Sequence, residues 1–471
     1  MRRAPLVFGP FVLLAGAVFA CEDDGGAPSG PSFLLDASTP TFDASQPPFD
    51  GATTDAEPDA PVVQPPVSVT VFGKAGPEAD VRVVFHDADG AVLETKLTGA
   101  DGKATRSAGA IPAMASALLS QDGSRRIVTW TGVEDGDQLA VHDVDSTFQE
   151  SMVGAFAVTF PGPFSDAGAT SYEARASDCY NYTEGQSTTI NLLSYCVSGA
   201  KSSVLVQARN GAGDLVGHSF SKGNTVPTDG GTVAVATGAW RVPASVSLSL
   251  AGLPSDTYGE MDLLEIADGY GYLAGATEGL ETQAIFATAS TFADALQASA
   301  SFYDEEGPGK RVLAKRVAPT AAIALDAAEL LPPITSSAVS GTDARRPVLR
   351  WTSSSTAGAD GGLVRTGFFT PDDAYVAWTF VVPPGSTSVT APAMPAEAES
   401  FLPAAGDAGP ADFMPPTVVF IEADVLPSYT AFRRLQGSLV DHNLPFQGYR
   451  LPPLPANGAY RATVHSSGDR G

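Results

Sequence analysis

Short runs in which apolar and polar residues alternate recur along the chain after residue 65. The first two runs cover residues 67–71 and 81–85, where nearly every second residue is Val or Phe. A period of two places the apolar side chains on one face of a β-strand. Pairs such as Asp89-Gly90 and Asn210-Gly211 interrupt the runs and are typical of tight turns. The pattern therefore predicts an all-β protein built from many short strands.

The runs fall into three stretches, which predict folded units over residues 65–147, 148–340 and 341–471. Regular strand and turn spacing with few helical segments is typical of Ig-like or fibronectin-like sandwiches. Two alanine-rich segments, 284–300 and 321–331, fit either short helices or strands, because alanine suits both. We expect several tandem β-sandwich domains, the middle one a β-rich domain with a disulfide.

The order of strands and turns in the first unit resembles the carboxypeptidase regulatory-like domains, a transthyretin-like β-sandwich family. The likeness is carried by Val71, Gly73, Gly76, Pro77, Val81, Val83, Asp89, Gly90 and residues 98–102. After Gly102, residues 103–106 replace the hydrophobic alternation that the family pattern leads us to expect. The resemblance implies a non-catalytic accessory module and brings no catalytic residues with it.

The length and net charge of the chain limit the number of domains and the kinds of partner that it can bind. A chain of 471 residues can build two to four separate cores. Its formal net charge is −26, and it has no cluster of lysines and arginines. Nucleic-acid phosphates require such clusters, so we expect no nucleic-acid partner.

The N-terminus predicts export. Two arginines precede an apolar run over residues 4–19, which is just short of the roughly 20 residues that a spanning helix needs. Val18, Ala20 and Cys21 resemble the lipobox of bacterial lipoproteins, with Phe19 where a small residue is usual. The resemblance implies that residues 1–20 are removed and that the Cys21 thiol carries a lipid such as palmitate. The alternative is an ordinary cleavage site in a secreted chain.

Residues 21–64 differ in composition from the rest of the chain. From Glu22 to Gln64 there are nine acidic residues, seven prolines and no lysine or arginine. Such a composition predicts a disordered linker, which would hold the folded units away from the lipid surface. The expected location is the bacterial cell envelope, at the outer membrane or cell surface rather than the inner membrane. The membrane is then a partner through the N-terminal lipid.

Cys179 and Cys196 remain once Cys21 is assigned to lipid, and we expect them to form a disulfide in an oxidising compartment. The bridge would link two neighbouring strands, and closing such a loop stabilises by ~3 kcal/mol in the chain-entropy model. A pair of metal-binding thiolates is the alternative, but it requires close Cys or His partners that the sequence lacks.

Two stretches of the form His-Asp-x-Asp, 86–89 and 142–145, could converge on a divalent metal if their strand ends were adjacent. On a strand, however, a His and the following Asp point to opposite faces, so solvated strand ends are the favoured interpretation. We therefore predict no metal site and no cofactor.

Other candidates are weaker. Residues 217–221 lack the final glycine of a nucleophile elbow, so no catalytic residue is predicted there. Residues 268–272 could present two tyrosines, although a glycine-rich loop is the simpler interpretation. Trp351 and Trp378 are expected to anchor a core rather than to stack on glycans.

Two functions stay open. The favoured one is a membrane-anchored lipoprotein that acts as a non-catalytic binding or structural protein, with sandwich loops presented to a protein or glycan. The alternative is a tethered extracytoplasmic hydrolase. Its paired carboxylates would lie on separate strands and would escape spacing patterns.

Overall fold

A computed structural model describes residues 66–466 except for 74–75, 108, 122–123, 143–151, 163–167, 195, 198, 229, 254–256, 278, 290, 305–308, 405–408, 410–411, 435–450 and 452. Strands dominate the described residues. The helices are short and include two 3-10 helices, Ala327–Glu329 and Ala396–Phe401, and the α-helix α1, Tyr429–Arg434.

Module 1, residues 66–142, is a sandwich of two layers of four strands. Its strands are β1 (Ser68–Gly73), β2 (Gly76–Pro77), β3 (Arg82–His86), β4 (Val92–Leu97), β5 (Lys103–Thr105), β6 (Met114–Gln121), β7 (Ser124–Thr131) and β8 (Gln138–His142). One layer has the order β5-β1-β8, with β2 paired to the end of β1, and the other has the order β4-β3-β6-β7. Alternate apolar side chains, such as Val69, Phe85 and Ala117, are fully buried between the layers.

Module 2, residues 152–241, has seven strands. They are β9 (Met152–Thr159), β10 (Ala169–Ala176), β11 (Cys179–Thr183), β12 (Ser187–Leu193), β13 (Lys201–Asn210), β14 (Leu215–Thr225) and β15 (Thr232–Ala236). The sheets have the orders β12-β9-β15 and β11-β10-β13-β14. Phe156, Ile190 and Val206 fill the space between them.

Module 3, residues 244–326, also has seven strands. They are β16 (Ala244–Ala251), β17 (Thr257–Ala267), β18 (Tyr270–Ala276), β19 (Gln283–Thr288), β20 (Ala295–Asp304), β21 (Gly309–Val317) and β22 (Ala322–Asp326). The layers have the orders β19-β16-β22 and β18-β17-β20-β21. Residues 148–340, predicted as one β-rich domain, thus contain two complete sandwiches.

Modules 1, 2 and 3 share one strand order. Leaving β2 aside and lettering the seven strands of each module a to g, one layer is d-a-g and the other is c-b-e-f. In all three modules strand a pairs antiparallel with d and parallel with g. The same sandwich therefore occurs three times in succession.

Module 4, residues 334–466, has a different order. Its strands are β23 (Ile334–Ser340), β24 (Val348–Ser353), β25 (Gly361–Phe369), β26 (Tyr375–Val382), β27 (Ser388–Thr390), β28 (Thr417–Ala423) and β29 (Gly458–Ser466). The layers are β23-β24-β27 and β29-β28-β25-β26. Trp351 and Trp378 are buried in the core of this module, which confirms their predicted role as core anchors.

One twelve-stranded sheet joins three of the modules. Its order is β18-β17-β20-β21 from module 3, β29-β28-β25-β26 from module 4 and β7-β6-β3-β4 from module 1. Strand β21 pairs antiparallel with β29, from Gly309 with His465 to Arg316 with Gly458. Strand β26 pairs parallel with β7. Module 4 therefore lies between modules 3 and 1 and is hydrogen-bonded to both.

These strands confirm the predicted fold class of an all-β chain with several β-sandwiches. Segment 284–300 contributes to strands β19 and β20, whereas segment 321–331 forms β22 followed by the 3-10 helix Ala327–Glu329, so both strands and a short helix occur. Buried alanines of both segments pack between the layers of module 3. Residues 103–105, which lack hydrophobic alternation, still form β5, where Ala104 pairs with Val69 and is buried. Backbone pairing thus determines this strand more than its side-chain pattern does.

Candidate functional site

The predicted lipid site, Cys21, lies outside the described residues, as do the predicted signal peptide and linker. Within residues 66–466, so far as they are described, no helix is long and apolar enough to cross a membrane. Attachment to a membrane therefore stays a prediction from the sequence.

The disulfide between Cys179 and Cys196 is present, with 5.6 Å between the two Cα atoms, which confirms the predicted pairing. Cys179 begins β11, and Cys196 follows β12 in the loop that leads to β13. Strands β11 and β12 belong to different layers of module 2. The bridge therefore ties the two layers together rather than two strands of one sheet.

The first His-Asp-x-Asp stretch has structural roles. His86 is fully buried, whereas the Asp87 carboxylate accepts hydrogen bonds from the backbone N–H groups of Asp89 and Ala91 in the following turn. In the second stretch, residues 143–145 lie outside the described residues. Among the side chains that the structure describes, no group of three or more His, Cys, Asp or Glu is arranged to hold a metal ion.

A line of buried polar groups runs from His86 into module 4. His86 Nε2 lies 3.0 Å from Ser116 Oγ, which is 2.9 Å from Thr129 Oγ1. Trp378 Nε1 donates to the same Thr129 oxygen at 3.0 Å. Burial is the largest influence on His86 and lowers its pKa to about 4, so the ring is neutral at pH 7. All four side chains are fully buried, so the line joins two modules and is closed to substrates.

The stretch around His218 is part of a regular strand. Residues 217–221 lie within β14, so no strand-to-helix turn exposes Ser219 as a nucleophile elbow would. Ser219 Oγ lies 2.6 Å from both Thr237 Oγ1 and the Gly238 carbonyl oxygen, so its hydroxyl can donate to the carbonyl and accept from Thr237. Ser219 therefore holds neighbouring backbone in place.

Residues 268–272 form part of the junction between modules 2 and 3. Asp268 has a φ of 52° and, with Gly269, turns the chain from β17 into β18. The Asp268 carboxylate accepts hydrogen bonds from Ser203 Oγ and from the backbone N–H of Gly223. Tyr272 donates from its hydroxyl to the Ser203 carbonyl oxygen at 2.7 Å. These residues attach one module to the next rather than facing a ligand.

One buried carboxyl group, that of Glu265, has a strongly raised pKa. Glu265 is buried in module 3, where one oxygen accepts from the Ala289 backbone N–H at 2.8 Å and the other has no hydrogen-bond partner among the described residues. Burial raises its pKa to about 8, so it is largely protonated at neutral pH. Glu265 lines neither the cavity at Arg461 nor the groove beside Trp351.

A cavity of about 530 Å³ lies between modules 3 and 4. Arg461 lines it and forms ion pairs with Glu422 and, at 2.7 Å, with Glu329. The charge of Arg461 is thus compensated within the protein.

A different kind of surface occurs on module 2. Tyr180 and Tyr182 are two residues apart on β11, an edge strand, so both side chains project from the same face. They are 54% and 60% exposed, and their ring centroids lie 5.6 Å apart in an edge-to-face arrangement. The sequence patterns considered above do not single out these tyrosines, although the Tyr-x-Tyr alternation indicates a strand with both rings on one face.

Charged side chains surround the two rings. Tyr180 lies opposite Arg175 on β10 and Tyr182 lies opposite Glu173. The Arg175 guanidinium carbon is 5.5 Å from the Tyr180 ring centroid, and Arg175 Nε donates to Glu173 at 2.8 Å. Arg209, on β13, is 3.8 Å from the same carboxylate. We call these five residues the tyrosine patch.

Module 3 has a second pair of partly exposed aromatic side chains. The charged residues around it are net negative, whereas those around Tyr180 and Tyr182 are net positive. Tyr258 is 50% exposed and stacks on Tyr303 at 5.3 Å between centroids. The Lys310 ammonium lies 5.1 Å from the Tyr303 ring. Burial is the main cause of the raised pKa of Tyr303, and the negative charges of Glu260 and Asp262 raise it further.

No protein-family model and no curated protein matches the chain. Among solved structures, it is similar to the Bacillus anthracis TIE protein, with 9% identity over 56% of this chain and a TM-score of 0.14. The match spans half (50%) of the TIE chain. It is also similar to the FN1-FN3 domains of chicken CNTN1, with 10% identity, 57% of this chain, 93% of that chain and a TM-score of 0.14. Matches with such low TM-scores carry no information about the function of this chain.

Proposed function

We propose that the protein is an exported lipoprotein, anchored in the bacterial envelope through Cys21, that binds a surface partner without catalysing a reaction. The exposed Tyr180 and Tyr182 pair is the observation that carries this proposal. Large aromatic side chains are usually buried, and exposed tyrosines beside arginines are typical of binding hot spots.

The patch is held rigidly, which supports a binding role. The disulfide at Cys179 immediately precedes Tyr180 and ties the start of β11 to the opposite layer. Asn181, between the tyrosines, donates from Nδ2 to the Thr189 carbonyl oxygen of β12. A surface ordered before binding loses less conformational entropy when a partner arrives.

Anchoring is tested separately from binding. The full chain, expressed in a bacterial host with lipoprotein processing, should take up labelled palmitate and sediment with membranes. Cys21→Ser should take up no label and appear in soluble fractions. Equal membrane attachment and no label in either protein would contradict the lipid anchor.

Binding is tested with a panel of immobilised envelope polysaccharides and proteins. Wild type and Tyr258→Ser should retain at least one ligand that the double variant Tyr180→Ser, Tyr182→Ser loses. If every bound ligand is retained equally by all three proteins, the tyrosine patch is not the binding surface. Hydrolysis of a panel component by wild type would contradict the non-catalytic proposal and favour a tethered hydrolase.

A further inference from the structure

We infer that the tyrosine patch recognises an acidic polysaccharide, one that carries carboxylate groups, rather than an extended peptide strand. The inference rests on the proposed binding function and names the class of ligand for the same surface.

The local charge favours an anionic ligand. Two guanidinium groups, of Arg175 and Arg209, share one carboxylate, that of Glu173, so the patch has a formal charge of +1 in a chain of −26. The charges of other modules are largely screened beyond ~8 Å at physiological ionic strength. A ligand at the patch therefore interacts mainly with nearby charges, of which those of Glu173, Arg175 and Arg209 act on the Tyr182 hydroxyl.

Arg209 is the less compensated of the two cations. Arg175 binds Glu173 directly through Nε and a terminal nitrogen. Arg209 is 3.8 Å from that carboxylate, and its other contacts are neutral: the Gly213 carbonyl oxygen at 3.1 Å and Gln207 Oε1 at 3.0 Å. Guanidinium groups bind carboxylates in two-point geometry, so Arg209 provides the contact for an acid group.

The edge of β11 is poorly suited to adding a peptide strand. Strand addition uses free backbone N–H and C=O groups along the edge. The backbone N–H of Tyr182 already donates to Asn181 Oδ1 at 2.9 Å, and β11 ends one residue later, at Thr183. The exposed rings remain available, and their apolar faces can pack against the C–H faces of sugar rings.

The test is native affinity electrophoresis of the full chain in gels containing polygalacturonate, a neutral glucan or no polymer. Polygalacturonate should retard wild type and Tyr258→Ser equally, and Tyr180→Ser with Tyr182→Ser should lose this retardation. Arg209→Gln should weaken binding about tenfold, in the range of one charged hydrogen bond, whereas Arg209→Lys should lose less. Added salt should weaken wild-type binding.

Lys222→Gln is the matched control for charge. Its side chain is 34% exposed, against 33% for Arg209, and it pairs with Asp294 outside the patch. The control should bind polygalacturonate like wild type. If Lys222→Gln and Arg209→Gln weaken binding equally, net charge rather than the patch is responsible, and the inference fails.

The remaining outcomes separate the inference from the proposed function. Equal retardation by neutral glucan would show stacking without charge recognition and overturn the acidic ligand. Binding of a panel protein through the tyrosines, with no polysaccharide bound, would overturn the inference and keep the binding function. No ligand lost in the double tyrosine variant would overturn both.

Discussion

Module 2 meets module 3 through side chains, whereas modules 3, 4 and 1 meet through backbone hydrogen bonds. Between modules 2 and 3 the contacts include the Asp268 carboxylate, the Tyr272 hydroxyl and an ion pair of Lys222 with Asp294 at 2.7 Å. Strands β21 and β29, and β26 and β7, instead continue one sheet across two junctions. Among the described strands, none of module 2 pairs with a strand of module 3.

The difference matters for stability. Backbone pairing needs no particular side chain, so a single substitution leaves most of the hydrogen bonds across such a junction in place. A side-chain junction depends on a few residues, some of them ionisable. We therefore expect modules 1, 3 and 4 to behave as one cooperative unit and module 2 to be attached less firmly.

Arg433→Ala should have the largest effect, because a buried ion pair reinforces the junction between modules 4 and 1. Arg433 of α1 lies 2.7 Å from Asp137, and both side chains are almost fully buried. Removing Arg433 leaves the buried Asp137 carboxylate, among the described cations, with only the half-exposed Arg434 at 3.2 Å, at a cost of up to about 3–5 kcal/mol. Urea unfolding should show this loss, and Arg434→Ala, a half-exposed neighbour, should cost much less. Equal losses in the two variants would contradict a special role for Arg433.

Glu265→Gln should remove a pH dependence next to the module 2 junction. Between pH 4.5 and about 8 the folded chain keeps a proton on Glu265 that the unfolded chain releases, so stability falls as pH rises. The slope approaches about 1.4 kcal/mol per pH unit. The variant should therefore be more stable than wild type at pH 8 and nearly equal at pH 4.

Thermal unfolding across this pH range measures the effect. The exposed Glu281→Gln is the control and should keep the wild-type slope. An unchanged slope in Glu265→Gln would show that the buried carboxyl does not control this pH dependence.

Asp268→Gly should loosen the side-chain junction by roughly 1–2 kcal/mol, the cost of leaving Ser203 and the Gly223 N–H without their acceptor. Glycine tolerates the positive φ at this position, so the backbone itself is not strained. Limited proteolysis should release module 2 faster than in wild type. Unchanged cleavage would mean that the hydrogen bonds of Asp268 do not hold the junction together.

Lys222→Gln should have the smallest effect. Its ion pair with Asp294 is partly exposed, so we expect a loss below about 1 kcal/mol. Unfolding at low and high salt should show a difference from wild type that shrinks as salt is added. A loss as large as that of Asp268→Gly would contradict this order.

The sequence predicted which segments form strands better than it predicted which strands pair with each other. Alternation identifies which face of a strand is buried, and it correctly indicated an all-β fold. It does not identify a strand's neighbour, and β29 pairs with β21 from about 150 residues earlier. Modules 2 and 3 were predicted as one unit, because only Val242 and Pro243 separate their described ranges and no linker composition marks the boundary.

The candidate site, too, could be predicted from the sequence only in part. The disulfide followed from cysteine count and compartment, because few alternatives existed. The tyrosine patch depends on Glu173, Arg175 and Arg209 from two further strands, and their convergence appears only when β10, β11 and β13 are paired.

Hydrogen exchange of the full chain at neutral pH tests the central structural claim most directly. Central amides of β7, β21, β26 and β29 should open with one shared free energy, and those of module 2 should open with a lower one. As urea is added, all amides of the first group should exchange through the same global unfolding transition. If amides of β7 open independently of those in β26 and β29, the twelve-stranded sheet is not a cooperative unit and the account is wrong.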